Sequence, residues 1–262
     1  VSDPRAALEA IGQLPDGEID LADAALQLAR VDQPDADWLS ARAHVSELAR
    51  AAASLAAGRV DDDLAKRAGA LAGLLAGRYG YMGDTDTYDS PANANLIQVI
   101  DRRRGLPVAL GIIWLHCARA AGWDAHGLDF PGHFLIALPG GGTQMVLDPF
   151  AGGLPMDARS MRRLVKRTEG PQAELRPGVL QPVGSRAVLL RLQQNIKLRR
   201  LASGDINGGL ICIEDMLRIA PDNAALWREA ALVNQRLDHV AAALRCFDRF
   251  LALVPAGEAA DR

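Results

Sequence analysis

The chain has 262 residues, 49% hydrophobic and 23% charged, enough for one large domain or two modest ones and too apolar for wholesale disorder. Lys and Arg number 29 against 32 Asp and Glu, a formal charge of -3, so the overall balance gives no electrostatic reason to expect nucleic acid or an acidic membrane as partner. No apolar run is long enough to span a bilayer, the start VSDPRAALEA lacks the pattern of an export signal, and Cys117, Cys212 and Cys246 are too few and odd in number for a disulfide framework. A reducing, cytoplasmic setting is the expectation.

The first 75 or so residues read as helices. Ile19 to Arg30 is amphipathic, with Asp16 and Asp20 suited to its positive N-terminal end; Ala36 to Leu55 repeats the pattern, and a third helix runs from Asp61 to Leu75 behind three aspartates. No chemistry stands out there, so the region is read as a scaffold. Tyr79 to Asn95 holds all three tyrosines, Gly80, Gly83 and Pro91, and reads as a structured loop. Its DTDTYD stretch lacks the central Gly and distant Glu of a calcium loop, so capping and turn formation are expected instead.

Gly105 to Gly122 is apolar almost all round, which predicts a helix buried on every side. Pro107 suits its first turn and Gly122 its end. AHGLDF, HFLIAL and QMVLDPF then read as three short strands, with turns at Pro131-Gly132 and over Pro139 to Gly142. A hairpin turn centred between Gly140 and Gly141 sets His133 directly opposite Asp148, with Cβ atoms roughly 4.5–5.5 Å apart. Gly170 to Gly184, with three prolines, reads as a linker. Beyond it, Ile219-Ala220-Pro221 and Leu253-Val254-Pro255 lie 34 residues apart, as do Cys212 and Cys246, and Trp227, Ala243, Phe247 and Pro255 fit a tetratricopeptide spacing. Gly209 and Ile213 make the preceding copy a poorer match. Such helix pairs pack on their neighbours and present partner-binding surfaces.

A His facing an Asp beside a long buried helix points to nucleophilic catalysis, with the His as base and the Asp fixing its tautomer. The nucleophile is missing: no Ser or Thr lies between Ser90 and Thr143. The one candidate thiol, Cys117, lies ten residues beyond Pro107, about 15 Å along a helix, out of reach of the N-terminal dipole. On an apolar helix its pKa rises, and Cys117 is read as a core residue. His116 and His126 match no defensible zinc spacing, so no metal and no cofactor are expected. Asn93 and Asn95, just before the buried helix, are candidates to line or brace a cleft there, with turn-capping the plainer reading.

The phrases GYMGDTDTYDSPANANL, RRRGLPVALGIIWLHCARAAGW, FPGHFLIAL and LDPFAGG, with IDLADAALQLARVDQPD before them and LLRLQQNIKL and DMLRIAPDN after, resemble the SirB-one family of bacterial transglutaminase-like proteins with a C-terminal tetratricopeptide region. The resemblance covers nearly the whole chain. It implies an α+β fold: a helical N-terminal part over 1–75, a papain-like or transglutaminase-like core over 76–182 whose central helix packs on a small antiparallel sheet, and helical repeats over 183–262. The wider superfamily uses Cys, His and Asp. Its His matches His133 and its Asp matches Asp148, while its Cys, in a Gly-x-Cys setting, falls on Pro107 of Gly105-Leu106-Pro107. The resemblance therefore implies a degenerate site and a pseudoenzyme that binds a protein or peptide or acts in regulation. The alternative is a hydrolase or acyltransferase acting on peptide or amide bonds through Cys117 or through a water held by His133 and Asp148. Substrate and partner are not named by the sequence.

Overall fold

A computed structural model describes residues 3–57, 63–176 and 178–254. The chain divides into two compact units, one formed by residues 20–189 and the other by 1–19 together with 190–262.

The unit of residues 20–189 begins with helices started by aspartate side chains. Asp20 accepts from the backbone of Ala22 and Asp23 at the start of α2 (Leu21–Asp32), Asp37 from Ser40 in α3 (Trp38–Ala56), and Asp63 from Ala65 and Lys66 in α4 (Leu64–Ala72). Each carboxylate satisfies amides that a helix start leaves without partners. The aspartates thus mark these starts to within a residue or two; Asp61 and Asp62 of the third expected helix lie outside the described residues. A π-helical turn over Gly73–Arg78 follows α4.

The loop beyond it carries a two-residue strand, β1 (Met82–Gly83), which pairs in parallel with β2 (Arg104–Gly105) across α5 (Leu96–Arg102). Then comes α6 (Pro107–Ala120), the buried helix the sequence demands: Pro107 occupies its first turn, Gly122 follows its end at φ +72, and only His116, Arg119 and Ala120 escape burial.

Five antiparallel strands form the sheet, in the order β6 (Leu154–Pro155), β5 (Thr143–Asp148), β4 (Leu135–Gly140), β3 (His126–Leu128), β7 (Pro182–Val183). The hairpin register differs from the sequence expectation. Gly140 pairs with Thr143 and Ile136 with Leu147, so the loop is Gly141-Gly142, at φ +59 and +75. A two-residue hairpin loop of this kind needs positive φ at both positions, and of the three adjacent glycines only these two turn. Each partner lies two positions farther along than expected, which preserves the face on which every side chain points.

That alternation decides what covers each face. Phe134 lies against Gly111 of α6, with Ile136 close by. Leu135, Ala137 and Val146 join Leu128 and Phe130 under Met161, Leu164 and Val165 of α7 (Ala158–Glu169). The expected linker over 170–184 is partly structured: Ala173, Leu175, Val179 and Leu180 pack on this second layer, and Pro182 sits on an edge strand, where a missing N–H breaks no ladder. The sequence reading missed α7.

In the other unit, α1 (Pro4–Gln13) packs on α9 (Ile206–Ile219), and α10 (Ala224–Arg236) pairs closely with α11 (Val240–Leu253). Trp227 donates its Nε1 hydrogen to the Pro221 carbonyl at 2.7 Å, and its ring packs with Ile213, Met216, Leu217 and Ala230. The bond ties the Trp227 ring to the Pro221 turn that opens its helix pair. Pro255 lies outside the described residues. The division between the units falls within α8 (Ser185–Ala202).

Candidate functional site

His133 stands in the turn that leads into β4, its backbone N–H held by the Phe130 carbonyl at 3.0 Å. Asp148 ends β5 and caps the short 3-10 turn Pro149–Ala151 through the Phe150 N–H at 3.0 Å. The same carboxylate oxygen lies 2.9 Å from His133 Nε2. His133 is 8% exposed and Asp148 4%. A carboxylate in this position favours the tautomer whose proton is on Nε2, which gives Nδ1 the basic lone pair. The Phe150 ring meets the His133 ring edge-on at 5.8 Å between centroids and the Tyr88 ring at 5.9 Å, also edge-on. So His133 and Asp148 do come together, although the register that suggested it was two positions off.

The pair opens on a cleft of about 840 Å³. One wall is the loop bearing Met82, Thr85, Asp86 and Tyr88, a second is Phe150 and Ala151, and a third is Leu164, Arg167 and Thr168 of α7; Arg104 also lines it. The first wall is organised by Asp84. Its carboxylate accepts from the Thr87 hydroxyl at 2.7 Å, the Thr87 N–H at 2.8 Å and the Asp86 N–H at 3.2 Å, and pairs with Arg102. These donors, the Thr87 hydroxyl first, hold its carboxyl well below the usual carboxylate range. The DTDTYD stretch is therefore a capped turn.

Neither asparagine lines the cleft, and this corrects the cleft-lining assignment. Asn93 is fully buried: its amide donates to the carbonyls of Thr87 and Tyr88, its side-chain oxygen accepts from Arg102, and its own carbonyl receives the Leu106 N–H at the head of α6. Asn95 caps α5 and donates to the Ala29 carbonyl and to Asp32. Their short polar side chains fit backbone groups that the buried loop would otherwise leave unsatisfied.

Pro107 is buried in the first turn of α6 and does not line the cleft. Cys117 has no solvent exposure, and burial pushes its thiol up to about 12. No thiol is among the described residues lining the cleft. His116 faces the Val45 carbonyl, and His126 lies on β3 with its buried Nε2 unbonded. Among the described residues no group of three His, Cys, Asp or Glu side chains is placed to hold a metal ion, and no helix is long and apolar enough to cross a membrane. Arg104, Arg167 and the two aromatic rings at the cleft were not singled out from the sequence. For the arginines, their spacing on the missed helix and in the RRRG run was the available signal.

The repeat unit carries a smaller hollow of about 390 Å³, lined by Leu217, Pro221, Trp227, Ala230 and Cys246 with Glu9, Glu214 and Arg218 at its polar side.

A family model of the transglutaminase-like superfamily matches residues 40–194, and one of the tetratricopeptide repeat matches residues 196–262. A UPF0162 protein of Xylella fastidiosa is 32% identical over 187 residues, 70% of this chain; the match spans 66% of that relative, just short of two thirds. UPF0162 proteins of Vibrio cholerae and Pseudomonas aeruginosa are 29% and 30% identical, over 93% and 90% of this chain and 89% and 84% of their own lengths. No solved structure gives a significant match.

Proposed function

We propose that this chain, which belongs to the transglutaminase-like superfamily and to its SirB-type UPF0162 proteins, is a non-catalytic member that works by holding a protein or peptide in the cleft beside His133 and Asp148. The observation that carries this reading is the state of the thiols. The resemblance puts the superfamily cysteine position at Pro107, no thiol is among the described residues lining the cleft, and Cys117 is sealed in α6. Burial pushes the Cys117 thiol up to about 12, so at neutral pH it is held in the protonated, unreactive form. Tetratricopeptide helices are interaction modules, so the second unit offers a further contact surface. The proposal includes a division at residues 75 and 182, into helical part, core and repeats, and a cytoplasmic location in keeping with three free cysteines.

Alkylation of the native protein at neutral pH, resolved by mass spectrometry, tests it. The half-buried Cys246 should label first, and the fully buried Cys117 and Cys212 slowly, at rates indifferent to His133→Ala. Rapid labelling of Cys117 that collapses in His133→Ala would restore a Cys–His enzyme and defeat the proposal.

One observation favours a second reading. The 2.9 Å His133–Asp148 bond gives a base that can draw a proton from water, and hydrolysis by that route needs no side-chain nucleophile. It predicts cleavage of simple esters or amides that disappears in His133→Ala. Absence of turnover together with peptide retention by the cleft decides for binding.

A further inference from the structure

The chain carries a net charge of -3, yet one helix concentrates the opposite sign. Arg159, Arg162, Arg163, Lys166 and Arg167 of α7 are all exposed. They follow one another at intervals of three and one residues, which on a 3.6-residue turn places them along a single stripe. The opposite face, Met161, Leu164 and Val165, is buried against the sheet. Lys166 reaches Glu174 at 3.5 Å; among the described residues Arg159, Arg162 and Arg167 form no ion pair. The stripe ends in the cleft, where Arg167 and Arg104 share the lining with the carboxylates of Asp86 and Asp148. The end of the helix is tied to the turn that bears His133. Thr168 Oγ1 donates to the Pro131 carbonyl at 3.0 Å, and Gly132, at φ +62, has no Cβ where one would stand 2.6 Å from Thr168 Cβ.

We infer that α7 and the cleft form one continuous surface for an acidic peptide segment, whose carboxylates lie along the arginine stripe and lead an apolar side chain into the cleft between Arg167 and the wall of Met82, Tyr88 and Phe150. This rests on the reading of the cleft as a binding site and names its partner class. Charge complementarity and the continuity of stripe and cleft carry it. A basic amphipathic helix that lies on a membrane needs its apolar face for the lipid, and here that face is spent on the protein core. A nucleic acid is disfavoured because α7 offers no aromatic ring for a base to stack on. Five clustered cations also raise the encounter rate of an anionic segment more than isolated pairs do.

The test uses the full chain and a fluorescein-labelled peptide in which Glu alternates with Leu, beside its Gln–Leu counterpart and an oligothymidine of similar length, read by fluorescence anisotropy. The Glu peptide should bind, weaken with added salt, and lose about tenfold in affinity in Arg159→Glu/Arg162→Glu, whose positions lie outside the cleft lining. Arg159→Gln/Arg162→Gln, which removes charge without reversing it, should show a smaller loss in the same direction, with the circular dichroism of both variants matching the native protein. A Glu peptide that binds no better than the Gln peptide, or equally well to the variants, overturns the inference. So does tighter stripe-dependent binding of the oligothymidine. If both peptides bind alike and photo-crosslink near His133, the stripe proposal fails while the binding cleft stands; if neither binds, both fail.

Discussion

A buried ion pair of the repeat unit and the buried His133–Asp148 pair of the other unit serve different ends. In the repeat unit Lys197 is 2% exposed and gives Nζ hydrogen bonds to both Glu229 oxygens at 2.6 Å. Asp215, 1% exposed, lies 3.0 Å from Arg218 and 3.6 Å from Arg5; burial pushes its carboxyl up, and the two arginines oppose that push. Lys197–Glu229 joins α8 to α10 and Arg5–Asp215 joins α1 to α9, while Arg218–Asp215 lies within α9. In the other unit His133 and Asp148 are also nearly buried, but they border a large cleft and the bond they make sets a tautomer. Burial of a charged pair alone does not mark a site. What distinguishes the His133–Asp148 pair is the open volume beside it.

The contrast predicts unequal costs. Glu229→Ala leaves the Lys197 ammonium buried without its counter-charge and should lower stability by about 3 kcal/mol, toward the low end for broken buried pairs because Glu229 is 35% exposed. Lys197→Met/Glu229→Leu should recover most of that, since an apolar pair of similar size needs no counter-charge. His133→Ala leaves the Asp148 carboxylate the Phe150 N–H and water from the cleft, so it should cost less, about 1–2 kcal/mol, while abolishing retention of peptide in the cleft. Urea denaturation followed by circular dichroism measures all three. If His133→Ala were as destabilising as Glu229→Ala and left peptide binding intact, the His133–Asp148 pair would be a structural clamp and the contrast would vanish.

A pH dependence sharpens the same comparison at the cleft wall. The Asp84 carboxyl titrates lower in the folded protein than in the unfolded chain, so folding favours its charged form. The resulting stability is fully present above the unfolded value of about 3.8 and is lost as pH falls through the lower folded value. Asp84→Asn should therefore be less stable than the native protein by a constant amount above about pH 5, and the gap should close as the pH falls below the unfolded carboxylate value. A gap unchanged down to the acid limit would mean that Asp84 contributes through shape and neutral hydrogen bonds only.

How far the sequence disclosed this architecture depends on the type of signal. The central helix was legible because an all-apolar run with Pro107 at one end and Gly122 at the other has one stable solution. The His133–Asp148 meeting was legible through alternation, which survives a shift of two residues; the register was not, because Gly140, Gly141 and Gly142 are equivalent in sequence and only packing selects which two turn. The two-residue strands β1, β2, β6 and β7 exist only through their tertiary partners and carry no periodicity. The roles of Asn93 and Asn95 depended on which carbonyls the fold would bring to them, across as many as 66 residues for Asn95 and Ala29. The α7 helix is amphipathic and could have been found, but a charge average over the whole chain conceals its five cations.

The smallest predicted effect tests the joint between the charged stripe and the cleft. Thr168 Oγ1 also approaches the Leu164 and Val165 carbonyls at 3.2 and 3.3 Å, so its hydroxyl can remain bonded within α7 if the Pro131 contact is lost. Thr168→Val keeps the branched shape and removes the donor, and should cost about 1 kcal/mol or less. Thr168→Ser should restore the bond to Pro131 and most of the stability. The informative readout is peptide affinity. If the hydroxyl fixes the Pro131–Gly132 turn against α7, Thr168→Val should weaken binding of the acidic peptide a few-fold and Thr168→Ser should recover it, because the His133 turn and Arg167 must be held together for one peptide to reach both. A loss of stability with no change in affinity would show that turn and helix are each placed by the core beneath them, by Phe130 and Leu164, and that the stripe and the cleft can be engaged separately.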